Sequence, residues 1–308
     1  MRSLRRTLIT VLDAGRGLAA LLSIVVAVSA MPAVARGDTI FETNNTSGTI
    51  GEYTTSGATV NASLVSGLAQ PDGIAVSGSN LFVGNTTSGT IGEYTTSGAT
   101  VNGSLITGLV NPDGIAVSGS NLFVINSFTI SEYTTSGATV NASLITGLGA
   151  SFGIAESRSD LFVTFVGTGT IGEYTTSGAT VNASLIKGLN GPYGIAVSGS
   201  DLFVVNNFNG TIGEYTTSGA TVNASLISGL PDPIGITVSG SDLFVTNAGS
   251  AGTIGEYTTS GATVNASLVS GLSGPVGIAV VPVPESATGL LVMGGVLGLA
   301  VVRGRRPF

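Results

Sequence analysis

The thirteen residues EYTTSGATVNASL recur along this chain at a nearly constant interval. The six copies begin at Glu52, Glu93, Glu132, Glu173, Glu214 and Glu256, and the second differs only by Gly103 in place of alanine. Successive copies lie 39 to 42 residues apart. A period near 40 indicates that each repeat is one supersecondary unit that buries its apolar surface against its neighbours. The chain is therefore expected to form either an open solenoid or a closed propeller.

One repeat contains four short runs rich in β-branched and aromatic residues, separated by Gly, Ser and Asn. We name them strand a (GIAVS, 73–77), strand b (NLFVGN, 80–85), strand c (TIGEYTT, 90–96) and strand d (TVNASLVSG, 59–67 of the preceding copy). The connecting segments, such as SGSN and TTSGAT, are too short to contain a helix. No 3.6-residue period appears between residues 36 and 281. Four antiparallel strands in about 41 residues are typical of one propeller blade.

The two ends of the repeat region favour a ring over a solenoid. The segment DTIFETNN (38–45) matches strand b but has no strand a before it, and GPVGIAVV (274–281) is a strand a with no strand b after it. A ring uses this offset, because the last strand a can pair with the first strand b. The sequence therefore predicts an all-β, six-bladed propeller of four-stranded antiparallel blades over residues 36–281. The alternatives are an eight-stranded barrel and an open solenoid.

The pattern P-x-G-I-A-V followed by L-F-V-x-N, as at Pro71–Val76 and Leu81–Asn85, resembles the NHL-type propeller repeat in all six units. The resemblance implies a propeller fold and no particular activity. The family commonly has an aspartate after the second strand. This chain has asparagine there, at Asn85, Asn126, Asn206 and Asn247.

Residues 1–35 have the pattern of a secretory signal peptide, and we expect this segment to be helical. Four arginines precede the apolar segment 17–30, and Ala33 and Ala35 form a small-x-small cleavage pattern before Arg36. The alternative is an ordinary membrane anchor, but 14 apolar residues are short for a span. We therefore predict export, with signal peptidase as a partner.

The C-terminal segment 282–308 has three parts: Pro284 and Glu285, an apolar run over residues 287–302, and the cluster Arg303, Arg305 and Arg306. Sixteen helical residues cover about 24 Å, slightly less than the hydrocarbon core of a bilayer. The arginines are expected to stay in the cytoplasm. The segment is thus predicted to be a transmembrane helix that holds the preceding chain outside.

This three-part tail resembles the PEP-CTERM sorting signal of Gram-negative bacteria that make exopolysaccharide. The resemblance implies recognition of Pro284 and Glu285 by an exosortase-like sorting enzyme, removal of the membrane segment, and a location at the cell surface or in the extracellular matrix. Ser286 stands where the family usually has a second proline. A plain C-terminal membrane anchor is the alternative.

Charge and composition exclude several classes of function. Between residues 36 and 281, three basic residues stand against 15 acidic ones, a net charge of −12, which repels phosphate backbones and argues against nucleic-acid binding. The chain has no cysteine, histidine or tryptophan. Zinc, haem, iron–sulfur and thiol chemistry therefore lack their usual ligands, and we predict no cofactor.

Variation between the copies is concentrated on one face of the predicted ring. The a–b and c–d turns, which share the bottom face, hardly change, apart from Arg158 in place of glycine. The d–a and b–c loops, which share the top face, differ in every blade. The d–a loops read AQPDG, VNPDG, GASFG, NGPYG, PDPIG and SGPVG. A surface of this kind is typical of a binding face.

The top loops also carry aromatic residues that depart from the repeat pattern: Phe128, Phe152, Phe165, Tyr193 and Phe208. All fall in blades two to five, on one side of the ring. Aromatic rings stack on the apolar faces of sugars, and neighbouring Asn and Asp supply hydrogen bonds. Our hypothesis is that this face binds exopolysaccharide or a surface protein. The alternative is that the rings fill voids left by small residues.

Enzymatic propellers resembling this one, such as lactonases and antibiotic lyases, place carboxylates and other ligands around the central channel. The candidates here are Asp72, Asp113, Glu156, Asp232 and the asparagines of strand b. Glu156 replaces the valine of GIAV and is a candidate to face the channel. A lone carboxylate does not make a metal site, and no nucleophile or phosphate-loop motif is present. We therefore predict a non-catalytic protein. A purely structural coat protein and a metal-assisted hydrolase or lyase of the channel are the alternatives.

Overall fold

A computed structural model describes residues 38–282, which form 24 strands and one 3₁₀ turn at Asn207–Asn209. The first eight strands are β1 Thr39–Asn44, β2 Thr49–Thr54, β3 Thr59–Ser66, β4 Pro71–Ser77, β5 Asn80–Asn85, β6 Thr90–Thr95, β7 Thr100–Ile106 and β8 Pro112–Ser118. The next eight are β9 Asn121–Asn126, β10 Thr129–Thr134, β11 Thr139–Ile145, β12 Ser151–Ser157, β13 Asp160–Phe165, β14 Thr170–Thr175, β15 Thr180–Lys187 and β16 Pro192–Ser198. The last eight are β17 Asp201–Asn206, β18 Thr211–Thr216, β19 Thr221–Ser228, β20 Pro233–Ser239, β21 Asp242–Asn247, β22 Thr253–Thr258, β23 Thr263–Ser270 and β24 Pro275–Val281.

The strands form six antiparallel four-stranded sheets, which are the six predicted blades. Blade 1 has the order β24-β1-β2-β3, and blades 2 to 6 take the remaining strands four at a time in chain order. Strand β24 pairs with β1, with Phe41 opposite Ala279, so the end of the repeat region closes the ring as predicted. Every strand finds its partners within residues 39–281, so the ring is complete in this segment.

The core lies between blades and is built mainly by the second strand of each blade. In β5, Leu81 and Val83 point to one side and Phe82 to the other, and all three are buried. One core cluster, for example, joins Phe41 and Ile50 of blade 1 to Leu81 and Val83 of blade 2. Nearly identical blades therefore present complementary faces to one another, which explains why the repeat is so uniform.

Each inner strand begins two residues earlier than predicted, at the residue before the variable second position. In blade 2, Pro71 pairs with Asn85, and the register shifts before Ile74. A glycine follows at the third position of every inner strand. A Cβ on Gly73 would lie 2.0 Å from the carbonyl oxygen of Asp113, so only glycine lets neighbouring inner strands approach this closely. The six positions are Gly73, Gly114, Gly153, Gly194, Gly235 and Gly277.

The outer strand of each blade exposes its first residues, and an asparagine side chain caps one backbone N–H group at its free edge. In β3, Asn61 Oδ1 accepts a hydrogen bond from the backbone N–H of Ser63 at 3.1 Å. The other five blades repeat this contact. Because the asparagine occupies one edge donor in every blade, it reduces the tendency of the edge to pair with another chain.

Two terminal segments flank the propeller in the sequence. The signal peptide (1–35) and, apart from Pro282, the sorting tail (282–308) with its predicted transmembrane segment (287–302) lie outside the described residues. Within residues 38–282, we find no helix of the length and apolarity that a membrane crossing requires.

Candidate functional site

The second residues of the six inner strands form a ring at the top mouth of the central channel. In order around the propeller they are Val276, Asp72, Asp113, Phe152, Tyr193 and Ile234. Two carboxylates are thus neighbours, two aromatic rings follow them, and two aliphatic side chains complete the circle. Below the ring lies a cavity of about 340 Å³, bordered by Asp72, Phe152, Ile234 and Val276 and lined by the isoleucine that follows the glycine in each inner strand. The channel therefore has carboxylate, aromatic and aliphatic side chains at its mouth, above an interior lined by aliphatic side chains and by the backbone of the inner-strand glycines.

The two carboxylates at the mouth lie in an unfavourable environment for negative charge. The side chain of Asp72 is only 9% exposed, and none of residues 38–282 donates a hydrogen bond to its carboxylate. Burial, together with the charge of Asp113, raises the pKa of Asp72 to about 7. Burial also raises the pKa of Asp113 to about 6. The pair thus combines a buried and a partly buried carboxylate, and neither has a counter-charge beside it among the described residues.

Four of the predicted aromatic residues lie close together on the top face and form what we call the aromatic band: Phe128, Phe152, Tyr193 and Phe208. The ring centroids of Phe152 and Tyr193 are 4.5 Å apart, and those of Tyr193 and Phe208 are 6.4 Å apart. Phe128, which is 60% exposed, borders a groove of about 270 Å³ together with Asp113, Phe152 and Tyr193. The band therefore runs across blades 3 to 5 and reaches the carboxylates at the channel mouth.

Contacts between blades hold the backbone of this site in place. Thr43 Oγ1 donates a hydrogen bond to the carbonyl oxygen of Asp72 at 2.6 Å, and Thr164 Oγ1 donates one to that of Tyr193 at 2.7 Å. Both threonines are fully buried. The mouth residues are therefore fixed by the packing of one blade on the next, as a preformed binding site requires.

The position of Phe208 depends on a glycine in the neighbouring top loop. Gly191 has a φ of +63°, and a Cβ there would lie 2.6 Å from Cγ of Phe208. The ring of Phe208 thus rests against the Gly191 backbone, yet the residue is 65% exposed. One ring face is supported and the other is open to solvent, which is the arrangement of a stacking platform.

Phe165, which was also predicted to bind the ligand, does not share this environment. It is 6% exposed and packs in the core between blades 3 and 4, with Ile130 and Leu148 among its cluster. It ends strand β13, where other blades place an asparagine, and its side chain turns toward the neighbouring blade. Being in a top loop by sequence therefore does not place a side chain on the top surface.

Glu156 is also separate from the mouth. It lies in the same inner strand as Phe152 but four residues further on, about 13 Å away, next to the bottom turn. Its Oε1 accepts a hydrogen bond from Ser118 Oγ of the preceding blade at 3.0 Å. Glu156 is not among the described residues that border the channel cavity. It therefore links two inner strands near the bottom face and does not join Asp72 in one site.

Sequence reasoning noted Asp72, Asp113 and Asp232 one by one and missed that two of them adjoin the aromatic residues. The signal was present, because Asp72, Asp113, Phe152 and Tyr193 occupy the same position of the aligned repeat. Asp232 lies at the edge of the band, where Asn207 Nδ2 donates a hydrogen bond to its Oδ1 at 2.6 Å. No group of three or more His, Cys, Asp or Glu side chains that could hold a metal ion occurs within residues 38–282.

Comparison with known proteins identifies the fold and not the function. No family model matches the chain, and no curated protein matches it. A chain from the crystal structure of a nidogen/laminin complex superposes with a TM-score of 0.67 at 16% identity, covering 79% of this chain and 98% of that one. A streptogramin B lyase has a TM-score of 0.59 at 20% identity, covering 79% and 86%. A gluconolactonase from Xanthomonas campestris has a TM-score of 0.56 at 14% identity, covering 75% and 85%.

These similarities confirm that the described chain is a six-bladed β-propeller of four-stranded antiparallel blades. Identities of 20% or less support the architecture alone. Membership of the NHL family therefore remains a prediction. Both binding proteins and enzymes are built on this architecture, so the function has to be argued from the top face.

Proposed function

We propose that this protein is an exported, non-catalytic propeller that binds exopolysaccharide or a surface partner through its top face. The observation that carries the proposal is the aromatic band, in which Phe152, Tyr193 and Phe208 lie within 4.5 to 6.4 Å of the next ring. The rings are inclined to one another by 51° and 66°, so they form an uneven apolar surface that the apolar faces of sugar rings can contact. The groove beside Phe128 extends this surface.

Three further features agree with a binding role outside the cell. The predicted signal peptide and sorting tail are typical of an exported protein that reaches the cell surface or matrix. The bottom turns are almost constant while the top loops vary, as expected when one face carries the specificity. One of the similar structures comes from a complex of two proteins, so a propeller of this architecture is compatible with a binding role.

The enzymatic alternative rests on the raised pKa values of Asp72 and Asp113, which resemble those of catalytic acids. We favour binding because the described part of the chain contains no histidine and no cluster of metal ligands beside these carboxylates. The test is to incubate the propeller with the polysaccharide and measure new reducing ends and unsaturated products. We expect neither to form above the rate of a boiled control. Formation that disappears in Asp72→Asn would make the protein an enzyme.

The binding proposal is tested by cosedimentation of residues 36–281 with the exopolysaccharide of the producing organism. The double variant Tyr193→Ala/Phe208→Ala is expected to bind about 100-fold more weakly, because two stacking platforms are removed. The control is Val222→Ala, which removes an exposed apolar side chain from the outer strand of the same blade. Equal binding by the native protein and the double variant would refute the role of the band. Absence of any binding would favour the structural coat protein instead.

A second variant displaces one ring without deleting it. In Gly191→Asn, the new side chain meets the ring of Phe208, while the left-handed backbone is retained, since Asn111 has a φ of +47° at the equivalent loop position. We expect affinity for the polysaccharide to fall about 10-fold with little change in thermal stability. The measurement is the same cosedimentation assay beside a melting curve. Unchanged affinity would show that the placement of Phe208 does not contribute.

A further inference from the structure

The carboxylates at the channel mouth indicate which chemical group of a carbohydrate ligand the top face would bind. Asp72 is 9% exposed and unpaired among residues 38–282, and it borders the channel cavity. Asp113 lies on the neighbouring inner strand and borders the groove next to it. The carboxylate oxygens of Asp72 are not among the fully buried atoms without a partner, so water reaches them. A ligand that displaces this water must supply a hydrogen-bond donor in its place, and a cationic donor would suit the site best.

The aromatic residues next to these carboxylates favour an organic ammonium group over a metal ion. Phe152 borders both the channel cavity and the groove, and its ring lies 4.5 Å from that of Tyr193. The charges of Asp72 and Asp113 both act on Tyr193, because they contribute, after burial and Asp232, to raising its pKa. Aromatic faces beside carboxylates attract organic ammonium groups through the ring quadrupole as well as through charge. A bare metal ion would gain nothing from the aromatic rings.

The overall charge points in the same direction. Residues 38–282 contain 15 acidic residues and only two basic ones, Arg158 and Lys187. Arg158 belongs to a bottom turn, and Lys187 ends an outer strand. A polysaccharide of uronic acids or sulfated sugars would be repelled by this surface, whereas a polymer with positive groups would be attracted.

We propose that the ligand of the top face is a polysaccharide with free amino groups, whose ammonium group contacts Asp72 and Asp113 while its sugar rings stack on the aromatic band. This inference rests on the proposed binding function and adds the chemical class of the ligand. Binding is non-covalent. The ammonium group of the amino sugar donates hydrogen bonds to the two carboxylates, and the apolar face of the sugar ring contacts Phe152 and Tyr193.

The test compares two matched ligands: glucosamine pentamers, β-1,4- and β-1,6-linked, and the same pentamers with every amino group acetylated. Binding to residues 36–281 is measured by calorimetry at about pH 7, where Asp113, with a pKa of about 6, is largely ionised and the amines are still partly protonated. We expect at least one glucosamine pentamer to bind about 10-fold more tightly than its acetylated form. The variant Asp72→Asn/Asp113→Asn is expected to bind the amino and the acetylated pentamers with equal affinity.

The matched control is Asp201→Asn/Asp242→Asn, which removes the same number of charges from the bottom face and is expected to keep the preference. Equal binding of both ligand types by the native protein, or a preference that survives in the mouth variant, would overturn the inference and leave the carbohydrate-binding function standing. If the native protein binds no pentamer of either type, the inference and the carbohydrate form of the proposed function both fail. Loss of all binding in Tyr193→Ala/Phe208→Ala would support the function alone.

Discussion

Replacing Glu42 by valine is expected to raise the free energy of unfolding by about 3 kcal/mol at pH 8. Glu42 is fully buried in β1 and faces the interface between blades 6 and 1. Its Oε2 accepts a hydrogen bond from Asn44 Nδ2 at 2.8 Å, but its Oε1 has no partner among the described residues. The equivalent position in every other blade is a fully buried valine: Val83, Val124, Val163, Val204 and Val245. Valine therefore fits this site and removes a buried carboxylate.

The gain depends on pH in a defined direction. Burial raises the pKa of Glu42 from 4.5 to about 8, so the folded protein holds a proton between these values that the unfolded chain has released. The stability of the native protein should therefore be highest below pH 4.5 and fall as the pH rises toward 8, by about 1.4 kcal/mol per unit. Asp72 and Asp113, whose pKa values are also raised, add a smaller decrease of the same sign.

The measurement is denaturant unfolding of the native protein and Glu42→Val at pH 5, 6.5 and 8. The difference between them should grow with pH, and at pH 8 it should correspond to roughly 6–12 °C in melting temperature. Glu156→Val is the control, because it also restores the valine of the repeat, but its carboxylate is half-buried and accepts a hydrogen bond from Ser118. A gain of the same size at all three pH values would contradict the proposed cause.

Replacing Gly235 by alanine is expected to lower the free energy of unfolding by about 3 kcal/mol or more. Its Cβ would lie 2.2 Å from the carbonyl oxygen of Val276 and 2.9 Å from Thr246 Oγ1. Thr246 is buried and donates a hydrogen bond to that same carbonyl at 2.7 Å, so neither neighbour can move freely. The inner strands of blades 6 and 1 would have to separate, which weakens the packing between these two blades.

The chain provides a matched glycine for comparison. Gly103 stands in an outer strand where the other five copies have alanine, and a Cβ there would meet nothing closer than 3.8 Å. Gly103→Ala is therefore expected to be neutral or to stabilise by about 0.5 kcal/mol through a smaller entropy loss on folding. Melting curves of Gly235→Ala and Gly103→Ala distinguish a steric clash between inner strands from a general effect of replacing glycine. Similar curves for the two variants would show that the inner strands are less tightly packed than the distances indicate.

Most of the fold was predictable from the sequence because the same structural unit occurs in six copies that can be aligned with one another. Runs rich in β-branched and aromatic residues, separated by Gly, Ser and Asn, predict four strands, and the unmatched ends at Asp38 and Val281 predict how the ring closes. The aromatic band was found because Phe152, Tyr193 and Phe208 break a pattern that is otherwise nearly invariant. Even Glu42 was accessible in principle, since aligning DTIFETNN with SDLFVTN places it opposite a valine.

Other properties required the tertiary structure. Phe165 breaks the pattern as clearly as Phe208 does, but its strand-end position turns it into the core between two blades, and sequence does not report that direction. Glu156 and Asp72 are both carboxylates on inner strands, yet they lie near opposite ends of the channel.

The sequence by itself therefore determined the number of blades, the closure of the ring and the face that varies, because these follow from periodicity and local strand preference. Only the tertiary structure decided which side chains meet. Closing six strands into a circle brings Asp72 and Asp113, from successive repeats about 41 residues apart, together with the rings of Phe152 and Tyr193. Proximity of this kind depends on the curvature of the ring and on burial, which no single repeat contains.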